Sequence, residues 1–214
     1  MILKNTDNFE QRTVQELLAL YTDLLVPFMI IRRDMPFPTQ PDRDETDGEH
    51  TFTLSIIAIT VSDRLNLGLD TGLIAKYSLV HDLVEAYAGD VSVRDVLNYD
   101  QKHILEKQAL EDLEDNYKES AGWIPSLIHD YENRIDDESK FVYAVDKILG
   151  ALVRLAGDGI NWTDYYPERD GSSYYKVVER LRTKAKVYPD MLPLFDYIHD
   201  FLDKKRPEYH DRAK

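Results

Sequence analysis

Cysteine is absent from the sequence, which removes disulfides, thiolate metal ligands and a cysteine nucleophile from consideration. Any metal chemistry must rest on histidine and carboxylate. Glycine and proline are scarce, nine of each, and no Gly/Ser-rich linker or internal repeat divides the 214 residues. One domain over residues 1–214 is expected. Basic residues are also in deficit, 26 Lys and Arg against 40 Asp and Glu, and the net charge of −14 repels a polyanion such as duplex DNA. Extended nucleic-acid binding is therefore not expected. A small anion is a different case, because a metal ion and a few local arginines outweigh a distant negative field. The start of the sequence has no basic segment followed by an apolar run, and no stretch of about 18 apolar residues is visible. No membrane span and a cytoplasmic location are the expectations.

What is present is the composition of a globular protein, 43% hydrophobic and 31% charged. Val14, Leu17, Leu18, Tyr21, Leu24, Leu25 and Phe28 recur at helical spacing and predict a helix over 10–31, kinked or ended at Pro27. Residues 32–48 hold three prolines and eight charges without an apolar period, which predicts a long loop of the kind that carries function. Further helices are expected near 49–67, 71–88, 100–119, 123–134, 137–156, 172–186 and 191–204. No segment reads as a strand, so the fold is all-α. The 71–88 helix is apolar on most sides and belongs at the centre, whereas 100–119 and 123–134 read as peripheral.

Polar residues on the apolar helices then need a reason. Asp146 shares one face of its helix with Val142, Leu149 and Val153, so an ionised carboxylate points at the core. It must bind a metal, pair with a buried cation or be capped by hydrogen bonds. His81 and Asp82 lie on the most apolar helix, with Glu85 one turn later and Asp90 beyond its end. A core histidine satisfied by its neighbours is the alternative for His81. Imidazole and carboxylate suit Mn, Fe, Co, Ni, Zn or Mg, and two His with two Asp leave positions open for water and substrate. A second histidine has to come from elsewhere: His50, His103, His129, His199 or His210. His103, His129 and His210 sit in polar surroundings, and the pair His199-Asp200 reads as solvated surface. His50, at the head of an apolar helix, is the best placed.

The order His50, His81-Asp82, Asp146 resembles the H…HD…D signature of the HD superfamily of metal-dependent phosphohydrolases. RDETDGEH resembles the R-x-E-x-x-x-E-H approach of its 5′-deoxynucleotidases, HDLVEAYAGD their HD-x-x-E-x-x-x-G-D segment, and FVYAVDKI their F-V-x-x-x-D-K segment. The likeness covers roughly residues 12–156. It implies a helical HD-domain fold, a divalent ion on His50, His81, Asp82 and Asp146, and catalytic carboxylates at Glu85 and Asp90. It also implies a phosphate-contacting arginine at Arg33 or Arg32, with Arg43 a second candidate. The sequence departs from the family in Asp34 and Met35, where an aromatic residue is usual, and in VSVRDVL after Asp90, where Arg94 is the candidate for a phosphate contact. The implied activity is hydrolysis of a nucleotide, foremost a 5′-deoxynucleoside monophosphate. A dNTP triphosphohydrolase, another nucleotide phosphohydrolase and a helical interaction module with an idle site are the alternatives. Residues 157–214 lie outside the likeness. Their aromatics read as core packing, with a pocket cover or a homodimer interface as the other readings.

Overall fold

The structure is a computed structural model, and it describes residues 6–89 and 99–212. Helix α1 (Thr6–Ala19) runs through a π-turn (Leu20–Leu25) into α2 (Val26–Ile30). The wider turn changes which face looks inward. Leu24 and Phe28 are buried, while Val14, Leu17, Leu18 and Tyr21 remain more than half exposed. Contrary to the sequence expectation, the helical course Phe9–Ile30 is long and apolar enough to cross a membrane by length and composition, with 11% of its most apolar stretch buried. Glu16 and Asp23 interrupt the run and hid it from a search for unbroken apolar residues.

The expected loop at 32–48 is instead an antiparallel hairpin, β1 (Arg32–Phe37) and β2 (Gln40–Thr46), with Arg32 opposite Thr46 and Phe37 opposite Gln40. The prolines misled because they cannot donate to a ladder. In a two-stranded sheet, however, each strand is an edge, and Pro36 and Pro41 need no second partner. The register shifts around Pro36 are the irregularities that such an edge accommodates.

Helix α3 (Asp47–Leu65) begins at Thr46, whose hydroxyl accepts from Glu49 N while Glu49 accepts from Thr46 N, a reciprocal capping box. Thr46→Ala is expected to lower stability by about 1 kcal/mol, read as a drop in the thermal midpoint. Helix α4 (Thr71–Val80) is capped by Asp70 and stops earlier than the expected 71–88 helix. Residues 81–84 form tight turns, with Leu83 N bonded to Val80 O and Glu85 N to Asp82 O, before α5 (Glu85–Ala88). The break falls on the His81-Asp82 pair.

Helices α6 (Tyr99–Tyr117) and α7 (Trp123–Asn133) are not peripheral, as expected, but build a second core. Ala109, Leu113 and Tyr117 form a narrow apolar stripe on the charge-rich α6, and it meets Ile124 and Ile128 of α7. Helix α8 (Asp137–Ala156) has the predicted bounds, set by an Asp136–Ser139 capping box and by Gly157 at its end. It centres the larger core, where Phe141, Val145 and Leu149 pack against Leu54, Ile74 and Phe195. The Met35 side chain lies over Gly150, where an added Cβ would stand 3.2 Å from its methyl, so the hairpin seats on α8. Short α9 (Trp162–Tyr165), α10 (Ser172–Ala185), a 3₁₀ turn at Pro189–Met191 and α11 (Leu192–Arg212) complete the described chain. His199 and His210, read from the sequence as surface or polar, are buried on α11. Aromatic neighbours distant in sequence, Tyr174 for His199 and Trp162 for His210, enclose them.

Candidate metal centre

Four segments converge where the hairpin meets the bundle. The head of α3 delivers His50, the turn after α4 delivers His81 and Asp82, the middle of α8 delivers Asp146, and β1 delivers Arg33. Ligand-capable atoms of His50, His81 and Asp82 all lie within 4.8 Å of one another. Asp146 joins them through His50, with Oδ1 3.1 Å from Nε2. The two imidazole centroids stand 5.4 Å apart.

The histidine orientations are informative. His81 Nδ1 is 2.8 Å from the Ser78 carbonyl, a contact that requires the proton on Nδ1 and leaves a lone pair on Nε2. His50 Nδ1 faces Glu45 Oε2 at 3.6 Å. Both Nε2 atoms are buried without a hydrogen bond. Asp82 Oδ2 lies 2.9 Å from His81 Nε2, and Asp146 Oδ1 is as near to His50, but the carboxylates stand off the directions a ring N–H would take. Two buried nitrogens beside two carboxylates, with no hydrogen bond between them, form a donor set that fits a divalent cation.

Electrostatics point the same way. Burial works to raise the Asp82 carboxyl, but His81 and Arg33 hold it well below the usual range. Asp146 is likewise held far down against burial, with Lys147 first among the opposing groups. Burial and Arg33 push His50 down, yet Asp146 and Glu45 outweigh them and raise its proton affinity. Tyr131, edge-on to His81 at 5.7 Å, is driven well above the ordinary phenol by burial and by the Asp146 and Asp82 charges.

Arg33 Nη1 sits 2.8 Å from Asp82 Oδ2, 3.0 Å from Asp47 Oδ1 and 3.9 Å from Glu85 Oε2. The other arginine candidates fall elsewhere. Arg32 donates to the Asp44 carbonyl, and Arg43 stacks on Phe37 while gripping Glu49 with two 2.7 Å bonds that pull Glu49 down to about 2. Asp90 and Arg94 lie outside the described residues. Three neighbours were not singled out from the sequence. Fully buried Asp47 anchors Arg33, Glu45 faces His50, and Lys147 bonds Asp146 while lying 4.4 Å over the Tyr143 ring. The signal for Lys147 was its place directly after a core-facing carboxylate. Asp47 could have been found as an acidic residue in the first turn of an apolar helix.

A family model described as an HD domain matches residues 31–187. The chain belongs to the HD domain family. Among curated HD-domain relatives, the 5′-deoxynucleotidase HDDC2 of Xenopus laevis is 31% identical over 120 residues, 53% of this chain and 57% of that one. Human 5′-deoxynucleotidase HDDC2 is 29% identical over 111 residues, 49% and 50% of the two chains. The 5′-deoxynucleotidase hdd1 of Schizosaccharomyces pombe is 24% identical over 111 residues, 50% and 54%. The chain thus spans about half the length of the curated relatives it matches. A solved structure described as a predicted metal-dependent phosphohydrolase, from Magnetospirillum magnetotacticum MS-1, superposes with a TM-score of 0.73 at 21% identity, over 92% of this chain and 97% of the other. That likeness shows the helical HD-domain fold. Family membership implies a divalent metal ion, and the His/Asp donors described above suit one.

Proposed function

We propose that the chain is a metal-dependent phosphohydrolase whose substrate is a nucleotide, foremost a 5′-deoxynucleoside monophosphate, split to nucleoside and phosphate. The observation that carries this reading is the pair of buried, unbonded Nε2 atoms of His50 and His81 beside Asp82 and Asp146, with Arg33 alongside. His50, His81, Asp82 and Asp146 would hold a divalent ion. When bound, such an ion polarises a phosphoryl oxygen and lowers the pKa of water. Arg33 supplies the guanidinium that a phosphate requires, and Asp47 keeps it facing the donors. Glu85, buried and within reach of Arg33, is the candidate to take a proton from the attacking water. Lys147 offsets the negative charge of Asp146 and keeps one of its oxygens occupied.

The charge of −14 supports a small nucleotide rather than an extended nucleic acid. The names of the 5′-deoxynucleotidase relatives support the substrate class, and a cytoplasmic location completes the reading. Phosphate release is expected from deoxynucleoside monophosphates with at least one of Mg, Mn, Co, Ni or Zn, and elemental analysis of the purified chain identifies the resident ion. Release of triphosphate from dNTPs would replace this reading with a triphosphohydrolase. A metal-free chain with no turnover on any nucleotide would leave the interaction module. Glu45→Ala is expected to weaken metal binding about tenfold, because a carboxylate behind a ligating imidazole orients the ring and raises its basicity. Titration with the identified ion checks it.

A further inference from the structure

The outward face of the first helix is apolar where a surface helix is ordinarily polar. Val14, Leu17, Leu18 and Tyr21 follow one another at helical spacing and are exposed by 55%, 59%, 56% and 54%. The ridge continues through Met29, which packs on Gly48 of α3 closely enough that an added Cβ would meet its Cγ at 3.2 Å. Phe52 and Ile56 lie one and two turns beyond Gly48 on the same face of α3, 70% and 52% exposed. Together these side chains expose roughly 800 Å², the area each partner contributes to a standard interface and more than a monomer ordinarily leaves in one patch.

We infer that this ridge is the contact between two copies of the chain, joined about a twofold axis. The charges of the helix support a second copy. Arg12, Glu16 and Asp23 fall about half a turn away from Val14, Leu18 and Tyr21, and Arg12 and Glu16 pair with each other at 2.7 Å. The ridge is therefore uncharged, and an isologous contact sets neutral surface against neutral surface in a chain whose net charge of −14 opposes self-association elsewhere. A lipid surface is less well served. The segment 13–31 contains no lysine or arginine to flank the apolar face, as helices lying in a membrane interface have. The π-turn explains how one helix serves two partners: Leu24 and Phe28 face the chain's own core, and the ridge before them faces outward.

Sedimentation equilibrium of the full chain at about 20 µM, well above the dissociation constants usual for interfaces of this size, is the test. The expected mass is twice the chain mass of 24.9 kDa. The double variant Leu17→Glu, Leu18→Glu removes no buried side chain, so its helical circular dichroism should match the parent while its dimer dissociation constant rises at least about thirtyfold. Phe52→Glu, on the other helix of the ridge, should shift it in the same direction. Three results overturn the inference: a parent that sediments as a monomer, charged variants that dimerise as tightly as the parent, or a monomer that floats with phosphatidylcholine vesicles.

Discussion

Replacing Asp82 with alanine is expected to cut phosphate release about a thousandfold or more and to leave the purified chain without its divalent ion. The magnitude follows from removing an anionic donor and, with it, transition-state charge stabilisation worth several kcal/mol, where about 4 kcal/mol corresponds to a thousandfold. Asp82 is the member of the cluster with most at stake. One of its oxygens lies 2.9 Å from His81 Nε2 and 2.8 Å from Arg33 Nη1, so its loss disturbs the donor set and the guanidinium together. Arg33 retains Asp47 at 3.0 Å, which limits the damage to the fold. Asp82→Asn keeps the shape and removes the charge, and it is expected to lose activity to a similar degree. The pair of variants separates ligation from packing when melting temperature, metal content and turnover are measured on the same samples. Turnover retained by Asp82→Ala, with a chelator-treated parent as control, would overturn the assignment of this residue.

The surroundings of the cluster show why such a concentration of acid can persist inside a folded chain. Asp47, Asp82, Asp146, Glu45 and Glu85 are gathered within a small volume, opposed by the fixed charges of Arg33 and Lys147. Buried carboxylates in such excess repel one another unless a further positive charge enters. Folding in the presence of the ion is thus expected to be more favourable than without it, as for any ligand that binds the native chain alone.

Much of this was legible in the sequence, and the exceptions have physical causes. Asp146 stood out because a carboxylate on the face of Val142 and Leu149 cannot be solvated, and α8 ended where its capping residues and Gly157 require. His81 and Asp82 stood out for the same reason. The turn at 81–84 did not, because its apolar neighbours continue the helical period while the backbone hydrogen bonds tighten to three-residue spacing. The hairpin was hidden by prolines that matter only in a central strand. Arg43 looked available for phosphate, but its partner Glu49 is six residues away across a turn of chain whose course depends on the hairpin itself. The outward ridge of α1 was read as a core face, since periodicity shows that a helix is amphipathic and not which body its apolar side meets.

The same blindness to tertiary surroundings concealed His199, and its burial makes a second large effect measurable. The ring lies against Phe195 at 4.3 Å, Nδ1 is 3.1 Å from the Tyr174 hydroxyl, and Nε2 is buried with no hydrogen bond. Burial lowers the imidazole from its ordinary 6.5 to about 4, against the opposing pull of Asp196 and Asp200. As the pH falls through 6.5 the unfolded chain takes up a proton at this position and the folded chain does not, so stability is complete above 6.5 and declines until the pH reaches about 4. A shift of this size is worth about 3 kcal/mol over the window. Carboxylates held low, such as Asp146, lose their contribution at lower pH, below the ordinary carboxylate value of 3.8. His210, also lowered by burial and bonded by Trp162 Nε1, adds to the slope between 6.5 and 4, so the difference between parent and variant isolates His199. His199→Phe is expected to flatten urea-unfolding stability across that window by about 3 kcal/mol relative to the parent. Equal slopes in the two proteins would mean that His199 is protonated in the folded chain, and that burial does not control it.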